Sequence, residues 1–146
     1  MKKELMPILE TKEESEIKGL IYNFRGKEVM LDSDIAELFK VETKKLNQQV
    51  KRNQNRFPED FCFKLNSIEF KILRSQNVTS FGGPGGKTKL PFVFTEQGII
   101  ALAGVLKSGI ADEMCVKISR VFVKMRHAKI AHFWIAIAIS LIVQKT

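Results

Sequence analysis

The residues best suited to chemistry in this chain are cations and amides grouped between residues 43 and 56. Residues 40 to 56 hold six Lys or Arg residues against one acid, Glu42. Cationic side chains bind DNA phosphates, while Asn, Gln and Arg can each make two hydrogen bonds to a base edge. This combination predicts binding to a nucleic acid rather than a reaction on a small substrate.

The spacing of these residues places them on one side of a helix. Leu46 and Val50 are four residues apart and share a face. At about 100° per residue, the opposite side holds the polar residues Lys44, Gln48, Lys51, Arg52 and Asn55. We predict that the phosphates are bound by Lys44, Lys45, Lys51 and Arg52, the base edges by Asn47, Gln48 and Asn55, and a further phosphate by Thr43 at the helix N-terminus.

A solvated helix face is the usual explanation for such a run of charge. Solvated helices, however, mix acids and bases three or four residues apart, and this helix carries no acid among its cations. The preceding residues predict a first helix over residues 34 to 39, capped by Asp32 or Ser33, and a turn that leads to Thr43 as the second cap. The two helices therefore match helix-turn-helix spacing, with Lys40 at the turn position where Gly is common and where a larger residue costs about 1 kcal/mol.

The elements that position this pair are predicted by short apolar runs and their caps. A hairpin with Arg25-Gly26 at its turn comes first, and further strands are predicted over residues 61 to 65 and 90 to 94. Asn66 with Glu69 forms a capping box, Thr95 caps a later helix, and a last helix spans residues 111 to 126. We therefore predict an α+β fold, a small antiparallel sheet with about five helices.

Composition indicates one domain with two appendages. The chain has 146 residues, 45% of them hydrophobic, and a net charge of +8. We assign residues 1 to 16 to a mobile polar arm, 17 to 126 to the DNA-binding domain and 127 to 146 to a hydrophobic C-terminal tail. Cys62 and Cys115 are far apart and are read as core thiols in a reducing compartment. The N-terminus lacks the apolar stretch of a signal peptide, so we expect a cytoplasmic protein.

The sequence GGPGGKT at residues 82 to 88 resembles a phosphate-binding loop only superficially. The first Gly of that motif would fall at Phe81, and the loop precedes a strand instead of a helix. We interpret it as a flexible loop whose Lys87 and Lys89 lie along a DNA backbone as a wing does.

Residues for catalysis are scarce. His127 and His132 are five apart, a spacing that neither pairs them on a helix face nor matches a familiar metal site. No Ser or Cys nucleophile has a base near it in sequence. We therefore expect no enzyme activity, no cofactor, no metal and no small-molecule substrate.

The tail contains eleven uncharged residues, FWIAIAISLIV at positions 133 to 143. Because spanning a bilayer takes roughly 20 residues, we expect no membrane partner. An exposed apolar run of this kind is adhesive, so we expect it to mediate self-association into a homo-oligomer.

Three ordered motifs support a family resemblance: VETKKLNQQVKRN from Val41, RFPEDF from Arg56 and FTEQG from Phe94. Together with the flanking residues, about 18 to 126, they resemble the ORF-six N-terminal domain, which is grouped with the KilA-N and Bro-N domains of phage and bacterial proteins. The resemblance implies duplex-DNA binding in transcription regulation, often of the phage or prophage antirepressor-like type, without enzyme activity or cofactor.

Three other functions remain open. The first is a protein-interaction module that sequesters a regulatory protein, or self-associates, through a helix face or the apolar tail. Its binding would be insensitive to salt, whereas DNA binding weakens steeply as salt rises. RNA binding is less favoured because no aromatic stripe lies among the cations. A nuclease or nucleotide hydrolase is the least favoured.

Overall fold

The computed structural model describes residues 10–76 and 89–145, and within them the predicted α+β class is confirmed. Six α-helices and four strands lie in these two ranges. In chain order they are α1 Lys12–Lys18, β1 Ile21–Phe24, β2 Lys27–Leu31, α2 Asp32–Phe39, α3 Thr43–Arg52, β3 Cys62–Lys64, α4 Ser67–Gln76, β4 Phe92–Phe94, α5 Glu96–Leu106 and α6 Gly109–Lys145, with a 3-10 turn at Gln54–Arg56 after α3.

The strands form one antiparallel sheet in the order β1-β2-β4-β3. The predicted hairpin is confirmed, with Phe24 opposite Lys27 across the turn. Arg25 and Gly26 both have positive φ, 56° and 74°, as a tight hairpin turn that follows the right-handed twist of its strands requires.

The sheet is covered on both faces because its side chains alternate from one face to the other. Met30 and Phe94 point to the face packed by α1, α2, α3, α5 and α6. Val29, Leu31 and Val93 point to the other face, where α4 contributes Phe70 and Leu73 to a smaller core. The helix pair of interest therefore rests on the larger of the two cores.

The motifs RFPEDF and FTEQG are in contact in the folded chain. Thr95 caps α5 as predicted, accepting a hydrogen bond from the Gly98 N–H at 3.3 Å, and its hydroxyl also donates to Phe61 O at 3.2 Å. A Cβ on Gly98 would lie 2.1 Å from that same carbonyl oxygen, so the close approach requires Gly. The start of α5 thereby fixes the segment that leaves the 3-10 turn.

The predicted mobile arm at residues 1 to 16 is corrected over its described part. Thr11 caps α1 by accepting from the Glu14 N–H at 3.1 Å, and Ile17 is 1% exposed. Lys124 of α6 donates to Glu14 at 2.5 Å. Glu13 and Glu14 pair with Lys117 and Lys124 of α6, contacts that the local sequence does not reveal. The first nine positions lie outside the described residues.

The capping box and the later helices agree with the prediction in type but not always in length. Asn66 and Glu69 exchange backbone-to-side-chain hydrogen bonds of 2.9 and 2.8 Å, as a capping box does. The last helix was predicted to end at Arg126, but α6 runs from Gly109 to Lys145. No helix breaker interrupts it, so the tail continues the same helix.

The part of α6 after Arg126 leaves the domain. The buried residues of this helix lie between Ala111 and Phe122, whereas residues 127 to 145 are almost entirely exposed. An 18-residue window of α6 has a mean hydropathy of 1.4 and none of it is buried, so the helix meets the length and composition criteria for a membrane span. The run from Phe133 to Val143, on which the expectation of no membrane partner depends, is part of this longer helix, and that expectation stays a prediction.

Candidate nucleic-acid interface

Helices α2 and α3 are joined by the tight turn that the sequence predicts. Lys40 adopts the left-handed conformation, with φ 57° and ψ 41°. Its N–H donates to Glu37 O at 3.2 Å, and the Val41 N–H donates to Ala36 O at 3.0 Å, which closes the end of α2. Lys40 thus adopts the left-handed conformation that explains why Gly is common at this turn position.

The caps of these two helices were wrongly predicted. Helix α2 begins at Asp32 with Leu31 as its N-cap, and α3 begins at Thr43 with Glu42 as its N-cap; neither has a side-chain cap bond. The predicted caps Asp32 and Thr43 are the first residues of their helices, and Ser33 is the second residue of α2. The carboxylate of Asp32 is engaged elsewhere, and Thr43 is half-buried in the first turn.

Helix α3 presents opposite faces to the core and to solvent, as its spacing predicts. Leu46 is fully buried, and Val50 packs at the edge of the larger core. The exposed residues occupy an arc of roughly 120° at 100° per residue. This exposed face of α3, called the basic face below, consists of Lys44, Lys45, Gln48, Lys51 and Arg52.

The cations of the basic face have no carboxylate partners within residues 10–76 and 89–145, where the salt bridges join other side chains. Elsewhere a cation commonly meets an acid. Lys117 pairs with Glu13 at 3.1 Å, and Arg126 pairs with Glu96 at 2.6 Å. The positive field of α3 is therefore not compensated locally, and a polyanion can approach it without displacing an internal partner.

A buried carboxylate fastens α3 to the sheet. Asp32 is 6% exposed; its Oδ2 accepts from Asn47 Nδ2 at 3.0 Å and from the Phe92 N–H at 3.3 Å, and its Oδ1 accepts from the Ser33 N–H at 2.7 Å. One side chain thus joins the start of α2, the middle of α3 and the start of β4. Asn47, predicted to bind a base edge, has one of its donors committed to this contact, and its buried Oδ1 makes no hydrogen bond.

A cleft of about 1180 Å³ lies between α3 and the β3–β4 side of the sheet. Its lining includes the half-buried rings of Phe57 and Phe92 and the thiol of Cys62. Four lysines also line it, two from α3 and two from the sheet side: Lys44, Lys51, Lys64 and Lys89. An apolar cleft with ammonium groups suits a polyanion whose backbone follows the cleft.

The predicted site residues are only partly brought together. Thr43, Lys44, Asn47, Gln48, Lys51 and Lys89 line the cleft. Lys45 and Arg52 lie on the outer side of the same helix, and Asn55 is exposed in the 3-10 turn. Lys87 lies outside the described residues.

Sequence reasoning missed Lys64 and Gln54, which also line the cleft. A signal for Lys64 was present. In β3 it lies two residues after Cys62, so alternation puts its side chain on the same face as Cys62, which also lines the cleft. Its Nζ lies 5.8 Å from the centre of the Phe92 ring. No comparable signal marked Gln54, because its position depends on the 3-10 turn after α3.

Two acidic groups of this region, the Cys62 thiol and the Asp34 carboxyl, have raised pKa values. Burial raises the pKa of the Cys62 thiol to about 12, so it is protonated and unreactive at neutral pH. Burial and the charges of Glu37 and Asp32 raise the pKa of Asp34 to about 6. Within the two described ranges, no three His, Cys, Asp or Glu residues are placed to hold a metal ion.

Comparison with protein families gives one match. A family model described as the ORF6N domain matches residues 19–105. The chain belongs to the ORF6N domain family. This family of phage and bacterial proteins is of the KilA-N/Bro-N type, a DNA-binding type of domain and not an enzyme family. Comparison with curated proteins and with solved structures gives no match.

The matched range covers the helix pair, the sheet and most of α5. It includes the whole basic face and the cleft. It ends before α6, so the exposed apolar part of that helix has no counterpart in the family match.

Proposed function

We propose that this ORF6N protein is a cytoplasmic DNA-binding regulator of the phage or prophage antirepressor-like type, and that it binds duplex DNA through α3. The supporting observation is the basic face, whose four cations are exposed and have no carboxylate partner in the described ranges. Family membership supports the same choice of ligand, since the family is of a DNA-binding type.

The geometry favours contact along one side of the helix. Helix α3 has ten residues and is roughly 15 Å long. An α-helix with its side chains is about 10–12 Å in diameter, which fits a major groove about 12 Å wide. We assign phosphate binding to Lys44, Lys45, Lys51 and Arg52 in this arrangement. Lys64 and Lys89, across the cleft, lie on the side where a neighbouring phosphate backbone would pass.

Base reading is assigned first to Gln48, which is exposed between the cations and has a free donor and acceptor pair. Asn55 is exposed seven residues further along the chain, in the 3-10 turn. Asn47 is the weaker choice, because a bidentate contact with adenine would require it to leave Asp32. Thr43 lies in the first turn of α3, where N–H groups and the helix dipole favour a phosphate.

The second candidate function is a protein-interaction module. One observation favours it: residues after Arg126 expose large apolar side chains, including Phe133 and Ile142 at 62% and 65%. Such a surface associates through apolar contacts and keeps its affinity as salt rises. DNA binding through the basic face loses affinity under the same conditions.

The test is fluorescence anisotropy of a labelled random duplex at several salt concentrations. We compare the full chain with Lys51→Ala/Arg52→Ala and with a matched control, Lys117→Ala/Lys124→Ala, which removes the same charge from α6. The first variant should lower affinity on the order of tenfold or more at low salt and flatten the log–log salt slope by roughly 2. The control should leave the slope close to that of the wild type.

Equal effects of the two variants would mean that binding follows net charge and not the basic face. Retained binding by Lys51→Ala/Arg52→Ala would move the interface away from α3. No binding by the wild type at low salt would contradict the DNA proposal and favour the interaction module. Circular dichroism of each variant shows that the domain is folded.

A further inference from the structure

The exposed part of α6 is unlike any other surface among the described residues. Its large apolar side chains, apart from the half-buried Ile137, are half or more exposed, and none of the most apolar window is buried. Water around such a helix is unfavourable by roughly 25 cal/mol for each Å² of apolar area. This segment, residues 130 to 144, is called the tail segment below.

The apolar side chains of the tail segment surround the helix. At about 100° per residue, four of them lie at intervals of roughly 80° to 120°, namely Phe133, Leu141, Ile135 and Val143. A helix that packs against one partner keeps a polar face for solvent, whereas a helix that is apolar all round lies inside a core or a membrane. A second copy of the chain would cover one side and leave the rest exposed. The surrounding medium must therefore be apolar in all directions.

Length and charge agree with a lipid environment. The tail segment contains no Asp, Glu, Lys or Arg, and at about 1.5 Å per residue it is roughly 22 Å long. It is bounded by Lys129 and Lys145, and the long side chain of Lys145 can extend to the headgroups, which reduces the difference from a hydrocarbon core of about 30 Å.

We propose that the tail segment inserts into a lipid bilayer as a membrane-spanning helix and holds the domain at the membrane surface. The ten residues before the segment carry four cations and no acid; the cations are Arg120, Lys124, Arg126 and Lys129. By the excess of Lys and Arg on the cytoplasmic side, the domain stays in the cytoplasm. Lys129 also pairs with Glu28 at 3.2 Å, which fixes the helix to the domain at the point where it would enter the headgroups.

The chain carries its own probe for this proposal, because its single Trp is Trp134. The side chain is 63% exposed, so its emission in lipid-free buffer should be that of a hydrated indole. Titration of the full chain with vesicles of phosphatidylcholine, with and without phosphatidylglycerol, should shift the emission to the blue, and the protein should float with the vesicles in a density gradient. Added salt should weaken the contribution of phosphatidylglycerol but not remove the protein from either vesicle.

Two matched variants each introduce one Lys, the first in the tail segment and the second on the exposed surface of α4. Ile139→Lys puts a charge near the middle of the tail segment and should lower partition into vesicles on the order of 100-fold. Ile68→Lys makes the same change at a site of α4 that is 72% exposed, and it should float as the wild type does. In a third variant, Trp134→Phe/Ile139→Trp, lipids brominated deep in the acyl chains should quench the new Trp more strongly than they quench Trp134.

Four results would overturn the proposal. Protein that stays at the bottom of the gradient with unchanged Trp134 emission does not insert. A blue shift without lipid that grows with protein concentration, together with a discrete oligomer in sedimentation velocity, means that further copies cover the tail segment. If the protein binds only anionic vesicles, if added salt abolishes this binding and if Ile139→Lys does not change it, the basic domain is attached electrostatically and the helix is not inserted. Equal quenching of the two Trp positions means that the helix lies flat on the membrane.

Discussion

The basic face of α3 and the flank formed by α1 and α6 are both rich in lysine, but their carboxylates lie in different places. On the flank, Glu13 and Glu14 meet Lys117 and Lys124 directly, at 3.1 and 2.5 Å. Beside α3 the buried acid is Asp32, which accepts from neutral N–H groups and leaves the cations pointing outward. Similar residues thus stabilise the fold in one region and remain available to a ligand in the other.

The comparison shows why counting charges along the chain is insufficient. A salt bridge on the protein surface contributes between about 0 and 1 kcal/mol to stability. The same cation facing a DNA phosphate releases a counterion and carries the salt dependence of binding. Which of the two applies depends on the position of the acids in space.

The largest effect is expected when the attachment of α3 is broken. Asp32→Ala leaves the partly buried Asn47 Nδ2 and Phe92 N–H without their acceptor, and should lower the free energy of unfolding by about 2 kcal/mol. DNA affinity should fall as well, since α3 is no longer held at a fixed angle to the sheet. Urea unfolding and the anisotropy titration measure the two effects.

Ser33→Ala is the control for that variant, because Ser33 is exposed and donates to Asp32 through its backbone N–H, which the substitution keeps. Asp32→Asn should fall between the two, since an amide retains one acceptor oxygen. If Asp32→Ala has the same free energy of unfolding as the wild type, α3 is held by Leu46 and its apolar neighbours alone.

The elements and their order were largely predictable because local signals decide them. Gly26 in the hairpin turn, Asn66 with Glu69 in a capping box, and Thr95 before α5 each act on residues within a few positions along the chain. The outward face of α3 was predictable for the same reason, since Leu46 and Val50 set its orientation.

What the sequence did not reveal depends on contacts between distant residues. Glu14 lies 110 positions before Lys124, so the contact that holds this part of the predicted mobile arm against α6 is not visible in the local sequence. Asn47 looked free to read a base because its partner, Asp32, comes from the preceding helix and was interpreted as a cap. The cleft combines side chains of α3 with Lys64 and Phe92, a neighbourhood that exists only after the sheet has formed.

A smaller effect is expected when Asp34 is replaced. Within the described residues its carboxyl is neither paired with a cation, as on the flank, nor hydrogen-bonded to N–H groups, as Asp32 is. The Oδ2 of Asp34 is buried without a hydrogen bond, and burial raises its pKa from 3.8 to about 6. Because the folded pKa is the higher one, ionisation opposes folding: stability is lost as pH rises from about 4 to 6 and stays lower above that range. Asp34→Asn should therefore raise stability at pH 7 by roughly 1 kcal/mol, a value reduced for partial solvation and for the favourable helix dipole.

Thermal unfolding at pH 4 and pH 7 measures this effect as the difference between wild type and Asp34→Asn. The gain should be present at pH 7 and nearly absent at pH 4, where the wild-type carboxyl is already protonated. Glu37→Gln is the matched control: it removes one of the nearby charges while leaving Asp34 in place, and should give a smaller gain. A loss of stability in Asp34→Asn at pH 7 would mean that the ionised carboxylate is the favoured form.

The smallest effect is expected on the flank, where Glu14→Gln removes the acid bound to Lys124. The hydrogen bond from Lys124 lowers the pKa of Glu14 from 4.5, so the pair stabilises the fold above that value and loses its contribution as pH falls through the lowered pKa. Because the pair is at the surface, the variant should cost less than about 1 kcal/mol at pH 7 and nothing once both forms are neutral. Glu13→Gln, whose partner Lys117 is bound through a more exposed carboxylate, should cost less still.

Thermal unfolding in matched buffers measures the two stability effects, and the anisotropy titration measures DNA affinity. Neither variant should weaken DNA binding, since removing an acid from this flank does not change the basic face. A fall in DNA affinity of Glu14→Gln would show that the flank and α3 are coupled, and that the paired and unpaired cations do not act separately.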